Sequence, residues 1–333
     1  MIPNYAARIR ALDDDALERF VKDWAKRRTR DYAETQRWSG TGDMGRDVVG
    51  YATRQRHEGE WDNFQCKQLS TRLSEKDAFV ELGKIFMHSA AGHYRLPRAY
   101  TFVAPKGVVR NVQNYVAHPE RFRQAFLDKW NELVAPELVQ NQVVPLTPEI
   151  RDAIKRFAFD SVYWLDAVGL AEDEYAVPAL VRWFDYDPGA APAGVTPETL
   201  QDEEAPYIEQ LIGLYAERRN TTFADYDTAL ADPDWGQHLR EQRTRYFEAA
   251  AFDRYYRDST PPDYLATFKD DLYHGVVDTH RDQHADGLAR VLKVLAQASQ
   301  VSPAGVLGRY AKVPVKQGTC HQFANEGRLL WRK

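Results

Sequence analysis

Apolar side chains near the start of the chain recur with the three- and four-residue spacing of an amphipathic helix. The stripe consists of Leu17, Phe20, Val21 and Trp24. We predict a helix from residue 13 to residue 28, with acidic residues at its start and basic residues at its end, as the helix dipole favours. Glu18 lies at the edge of this stripe, where the pattern alone indicates a solvated carboxylate.

Two strand-like runs then surround a polar His-Glu-Gly-Glu turn. The first run follows Asp47, and the second contains Phe64, Gln65, Cys66 and Lys67. Because side chains alternate along a strand, Gln65 and Lys67 share one face, whereas Phe64 and Cys66 share the other. We expect the apolar pair to face the core and the polar pair to meet Asp47 across the hairpin. A carboxylate, an amide oxygen and an ammonium on one face form a candidate site for a metal ion and a water molecule.

Similar patterns divide the rest of the chain into segments. Predicted helices cover residues 74–91, 108–116, 120–133, 148–170, 206–219, 236–258, 264–283 and 286–298, and predicted strands cover 99–104 and 312–316. Prolines between 134 and 150 mark a domain boundary. We therefore predict an α/β (α+β) N-terminal domain at 1–145 with a mixed central sheet flanked by helices, a helical middle region at 146–235, and a mainly α-helical C-terminal domain at 236–333.

Charge separates the two ends of the chain. The 333 residues carry a net charge of −5, but residues 1–145 carry +4 and residues 146–333 carry −9. The N-terminal part is therefore the candidate phosphate-binding surface, and the acidic remainder suits a protein partner better. Cys66 and Cys320 provide neither a disulfide framework nor a four-ligand zinc site. With no secretory signal and no membrane-spanning apolar run, we expect a cytoplasmic protein that does not bind membranes.

Two nucleotide-binding motifs are ruled out. The glycines at 40, 42 and 45 match G-x-G-x-x-G, but a strand-like run follows them where a dinucleotide site needs a helix. We interpret them as a tight loop that positions Asp47. The chain has no Walker A motif, so we expect any control by ATP to come from another protein.

The order of a helix glutamate, a Gly-Arg-Asp strand and a Gln-Cys-Lys strand resembles the PD-(D/E)xK restriction-like nucleases. The match is to the D…QxK variant, familiar from Mrr-like nucleases and from CBASS-type anti-phage effectors. This resemblance implies a restriction-endonuclease-like fold and an Mg²⁺-dependent endonuclease, with Mn²⁺ as a possible substitute, acting on double-stranded DNA. It implies catalytic roles for Asp47, Gln65, Lys67 and Glu18. It also implies metal ligation by Asp47, Gln65, Glu18 and the backbone carbonyl of Cys66.

Gln65 departs from the commoner pattern, in which an acidic residue stands at this position. The substitution removes one negative charge from the site, so two alternatives stay open. One is a non-catalytic assembly subunit that keeps a nuclease-like fold. The other is an RNase of the same fold.

The last hundred residues carry a second resemblance. Segments 246–256, 268–278, 286–290 and 321–329 look like the C-terminal domain of ABC-three-component, or Lamassu, effectors. The resemblance implies docking to an SMC-like ATPase subunit and to a small third subunit. It suggests an effector held inactive in that complex, which forms an active homo-oligomer on release.

Overall fold

Five strands form one mixed sheet in the N-terminal half of the protein. The computed structural model describes residues 4–38, 40 and 42–332. The strands are β1 (Glu34–Arg37), β2 (Val48–Tyr51), β3 (Trp61–Cys66), β4 (Ala99–Val103) and β5 (Val162–Leu165). They lie in the order β1-β2-β3-β4-β5, antiparallel from β1 to β3 and parallel from β3 to β5. The predicted mixed sheet is confirmed.

Helices cover both faces of this sheet. They are α1 (Tyr5–Arg10), α2 (Asp14–Ala25), α3 (Glu75–Ala90), α4 (Arg110–Val116), α5 (Pro119–Lys129), α6 (Pro148–Arg156), α7 (Ala167–Glu172) and α8 (Val177–Phe184). One core joins the sheet to α1, α2, α7 and α8, and a separate core joins its other face to α3, α4, α5 and α6. The result is a three-layer α/β/α arrangement.

Strand β3 is buried on both faces. Phe64 and Cys66 belong to the core beneath α2, where the Phe64 ring meets the edge of Trp24 at 5.2 Å between centroids. Trp61 belongs to the core beneath α3, and Asn63 and Gln65 are buried as well. The predicted alternation is confirmed, but the polar face of this strand is covered by a helix. A strand near the centre of a sheet with helices on both sides has no solvent-exposed face.

Several predicted elements need correction. The single helix predicted for 148–170 is α6, a 3₁₀ turn at Phe159–Ser161, β5 and α7. The predicted boundary at 145 therefore falls inside the first unit, because β5 pairs with β4. The strand predicted for 312–316 is the first turn of a helix, where a proline is tolerated because its missing N–H needs no partner. Strand β1 was not predicted.

The second compact unit begins after Tyr186 and consists of helices. They are α9 (Ala205–Arg219), α10 (Tyr226–Leu230), α11 (Gly236–Ser259), α12 (Pro262–Arg281), α13 (Gly287–Gln300), α14 (Gly305–Tyr310) and α15 (Val313–Asn325). Helix α15 packs closely on α11 at Gly318, where a Cβ atom would lie 1.8 Å from the carbonyl oxygen of Arg245. The prediction of a mainly α-helical C-terminal domain is confirmed.

A buried ion pair connects α11 to the segment that leads into α9. Arg243 of α11 donates from Nε and Nη2 to the two carboxylate oxygens of Glu204, at 2.9 and 2.7 Å. The same Nη2 donates to the carbonyl oxygens of Pro197 and Thr199. Both charged side chains are almost fully buried, so each depends on the other to compensate its loss of hydration.

We predict that Arg243→Met strongly destabilises the second unit. The Glu204 carboxylate would stay buried without its partner, which costs about 3–5 kcal/mol of the free energy of unfolding. Urea unfolding followed by helical circular dichroism measures this change. Arg309→Met is the matched control, because Arg309 is exposed and binds Asp187 only at the surface. Equal losses in the two variants would contradict the prediction.

Candidate active site

Asp47 is the centre of the candidate site. It directly precedes β2, and its side chain lies on the face of the sheet that α3 covers. Its Oδ2 atom accepts hydrogen bonds from Nε2 of Gln65 and from the backbone N–H of Cys66, both at 2.8 Å. The structure thus brings Asp47 and Gln65 together across the hairpin, in a place where both are buried.

Lys67 completes the site together with a residue that the sequence analysis missed. Its backbone N–H donates to Val103 and continues the pairing of β3 with β4. Its Nζ atom lies 2.9 Å from Oε1 of Glu81 on α3, and Lys84 donates to both oxygens of the same carboxylate. Along the sequence Glu81 and Lys84 resemble an ordinary solvated pair three residues apart. Only the packing of α3 on the sheet reveals that Glu81 faces Lys67.

Glu18 and Cys66 each make contacts that the sequence did not predict, and their predicted roles as metal ligands stay predictions. The Glu18 carboxylate accepts a hydrogen bond from Nε of Arg37 at 2.7 Å, although its charge still raises the pKa of Asp47. Cys66 contacts Asp47 through its backbone N–H, while its side chain lies in the core beneath α2. Burial raises the pKa of the Cys66 thiol well above its ordinary value, so this side chain is neutral and uncharged.

The loop before Asp47 is held against α3. Gly45 has a φ of +82°, and a Cβ atom there would lie 2.8 Å from Cβ of Lys84. Its carbonyl oxygen accepts a hydrogen bond from Asn63 of β3. Arg46 lies between the rings of Trp38 and Tyr94, 4.1 and 4.8 Å from their centroids. These contacts fix the position of Asp47, as expected for the glycine-containing loop.

Burial dominates the electrostatics of the site. It raises the pKa of Asp47 to about 7, against the opposing effects of the Lys67 charge and the Cys66 N–H. Burial also disfavours the Lys67 ammonium, but the negative charges of Glu81 and Asp47 outweigh it, and the pKa of Lys67 is raised. At neutral pH Lys67 is therefore a cation. Its charge offsets only part of the free-energy cost of burying the ionised Asp47 carboxylate.

The donor atoms fit a hard divalent cation such as Mg²⁺, which prefers carboxylate and amide oxygens. The charge of a cation would compensate the buried Asp47 carboxylate. In the part of the chain that the structure describes, no three His, Cys, Asp or Glu side chains are grouped to bind a metal by themselves. Ligands beyond carboxylates would be needed, namely the Gln65 amide and the Cys66 carbonyl. In this structure the Gln65 amide donates a hydrogen bond from its nitrogen to Asp47, and its Oε1 accepts a hydrogen bond from Asn63 at 3.4 Å.

Comparison with known proteins identifies the C-terminal part of the chain. Residues 204–331 match the model of CTD6, C-terminal domain 6 of the ABC-three component (ABC-3C) systems. Over these residues the second unit is similar to this domain. The predicted resemblance is thereby confirmed at the level of ABC-3C systems, and the matched segment includes α9 and α10, which the prediction assigned to the middle region. No curated protein and no solved structure matches the chain.

The ABC-3C match concerns the second unit alone. The resemblance of the first unit to PD-(D/E)xK nucleases therefore stays a prediction. No described helix is long and apolar enough to cross a membrane.

We predict that Asp47→Asn stabilises the fold in a pH-dependent way. Since the pKa of Asp47 is raised from 3.8 to about 7, its ionisation destabilises the folded state above pH 7, and this effect disappears below the ordinary pKa. In EDTA at pH 8 the variant should gain about 1–3 kcal/mol of unfolding free energy, with a smaller gain at pH 5. Chemical unfolding at both pH values measures the difference.

The exposed residue Asp128 provides the control, since Asp128→Asn removes a solvated carboxylate. A gain that is the same at pH 5 and pH 8 would contradict the assignment of a buried, destabilising charge. Addition of Mg²⁺ at pH 8 gives a second readout. It should raise the melting temperature of the wild type more than that of Asp47→Asn, because a bound ligand stabilises the folded state.

Proposed function

We propose that this chain is the effector subunit of an ABC-3C anti-phage defence system and that its N-terminal unit is an Mg²⁺-dependent DNA endonuclease. One observation carries the proposal. The side chains of four residues lie together beside the carboxyl end of β3, namely Asp47, Gln65, Lys67 and Glu81. This arrangement couples a carboxylate and an amide to a lysine in the D…QxK order. The ABC-3C domain in the second unit supports the place of the chain in a multi-component system.

Phosphodiester hydrolysis requires stabilisation of negative charge and an activated water molecule. A bound divalent cation supplies both by acting as a Lewis acid and by lowering the pKa of a bound water. Asp47 and Gln65 would hold the cation, with the Cys66 carbonyl and Glu18 as further predicted ligands. A carboxylate buried beneath α3 retains little hydration, so it offers its charge to a cation without first losing much bound water.

Lys67 is better suited to charge stabilisation than to proton abstraction. Its raised pKa keeps it an ammonium at neutral pH, and an ammonium cannot accept a proton. The 2.9 Å contact with Glu81 holds Nζ in place beside Asp47. We therefore assign Lys67 to neutralising the scissile phosphate and orienting the attacking water. Glu81 is a positioning residue that acts through Lys67.

The substrate and the partners follow from charge and from the resemblances. The net charge of +4 over residues 1–145 favours a polyanion such as double-stranded DNA. The partners would be an SMC-like ATPase subunit and a small third subunit of a Lamassu-like complex in the cytoplasm. Since the chain has no Walker A motif, we assign ATP-dependent control to the SMC-like partner. Release from that partner would allow copies of the chain to associate.

One observation favours a second candidate, a non-catalytic assembly subunit. Gln65 donates its amide nitrogen to Asp47, and Lys67 forms an ion pair with Glu81. These contacts satisfy the polar side chains without a metal ion, as a structural site would. Catalytic variants distinguish this candidate from the nuclease, and a parallel assay on RNA tests the ribonuclease alternative.

We predict that Asp47→Ala and Lys67→Ala each abolish Mg²⁺-dependent cleavage while the protein stays folded. The first variant removes the central carboxylate and the second removes the cation beside it. Plasmid nicking and linearisation measure activity, and circular dichroism measures folding. Gln65→Glu should retain metal binding, because it restores the commoner acidic ligand.

Lys76→Ala is the matched control for Lys67→Ala. Lys76 also lies in an ion pair with a glutamate, Glu137, but it is exposed on the first turn of α3. Its loss should leave cleavage unchanged. Full activity in a folded Asp47→Ala or Lys67→Ala variant would overturn the assignment of the site.

We also predict that cleavage of both DNA strands requires self-association of the chain. One active site of this kind cuts one strand, so a double-strand break needs two sites together. Size-exclusion chromatography with light scattering on the free chain, alongside plasmid cleavage over the same concentrations, tests this prediction. Linearisation should increase with the oligomer fraction. A strictly monomeric chain that still linearises plasmid efficiently would contradict it.

A further inference from the structure

An open groove runs along α9 in the second unit. It has a volume of about 690 Å³ and lies between α9, the 220–225 loop and α10. Its apolar surface is formed by Leu200, Ile208, Ile212, Ala216, Phe223 and Tyr226. Ile212, Phe223 and Tyr226 pack against the core of the unit but are only partly buried. Folding therefore leaves an apolar surface accessible here, inside a rim of polar residues, which is typical of an interaction site.

Acidic residues outnumber basic ones in the segments that form this groove. Residues 198–234, which include most of the groove, contain ten Asp and Glu but only two Lys and Arg, and of the ten only Glu204 is buried, against Arg243. Both of these arginines are already engaged, since Arg218 binds Asp286 and Arg219 binds Asp232 and Asp234. Glu209, Glu217 and Asp225 line the groove itself. The lining also contains a basic residue, Arg332, which donates to Glu217 at 2.7 Å.

We propose that this groove binds an amphipathic helix of a protein partner, with its apolar face in the groove and its flanking lysines and arginines against the acidic rim. Helices bind such grooves through apolar side chains at positions i, i+3 or i+4, and i+7. Opposite charges at the rim accelerate the encounter and disfavour partners of the wrong charge. Nucleic acid is excluded as the occupant, because its phosphates would face the acidic residues.

This inference specifies the partner surface for the assembly role proposed above and does not depend on DNA cleavage. A chain that fails to cut DNA leaves it unaffected. Failure of peptide binding, in turn, leaves the proposed nuclease unaffected. The two proposals are therefore tested separately on the same full-length protein.

The test uses a fluorescent peptide of about 18 Leu and Lys residues in an amphipathic helical pattern, titrated with the full chain and followed by anisotropy. Two further peptides serve as probes. One has the same composition in a scrambled order, and the other has Glu in place of Lys. The first peptide should bind, and the other two should bind about tenfold or more weakly, since they lack the apolar face or the complementary charge.

Two variants locate the binding site. Glu209→Lys, at an exposed rim position, should weaken binding about fivefold at low salt, and Ile212→Asp, on the groove surface, about tenfold or more. The matched controls are Asp278→Lys, at an exposed position of α12, and Leu292→Asp, at an exposed apolar position of α13. Each should stay within about twofold of the wild type, because surface changes away from an interface have small effects.

Circular dichroism verifies that the variants fold, and Glu209→Lys remains informative if Ile212→Asp does not fold. Three results would overturn the proposal: no binding of the basic amphipathic peptide, equally tight binding of the scrambled or the acidic peptide, or equal losses in the groove variants and their controls.

Discussion

The burial of one carboxylate determines the character of the candidate site. Asp47 lies beneath α3, where its Oδ2 accepts hydrogen bonds from Gln65 and from the backbone of Cys66. Burial is the main cause that raises its pKa to about 7, so ionisation near neutral pH costs more free energy than it would for a solvated carboxylate. The folded protein therefore holds a group whose ionisation destabilises it. Such a group is better suited to receiving a cation than to strengthening the fold.

Helix α3 connects this carboxylate to the rest of the site. It covers the polar face of β3, packs directly against Gly45 and brings Glu81 to Lys67. The same helix contributes to the core through Phe79, Leu82 and Phe86. A change in its packing would thus alter the positions of Asp47 and Lys67 together. In the proposed nuclease, catalysis depends on side chains that are fixed by the largest apolar core of the first unit.

The second unit uses charge in two different ways. In its interior, Arg243 and Glu204 compensate each other and fix the segment that leads into α9. On its surface, acidic residues outnumber basic ones in the segments around α9, and Glu209, Glu217 and Asp225 line an apolar groove. The interior pair contributes to a defined fold, and the surface excess favours a basic partner. Both features agree with a domain that assembles with other subunits.

The sequence by itself determined the local elements and the pairing of Asp47 with Gln65. Alternation along β3 and the tight turn before it specify which side chains share a face, because both are properties of neighbouring residues. The helical stripes of α2 and α3 were recognisable for the same reason. Tertiary structure decided the rest. In the folded protein β5 pairs with β4 at the edge of the sheet, and α3 covers the polar face of β3. Glu18 binds Arg37, and Glu81 binds Lys67. These outcomes depend on contacts between distant segments, whose free energy comes from packing and burial, and no local pattern encodes them.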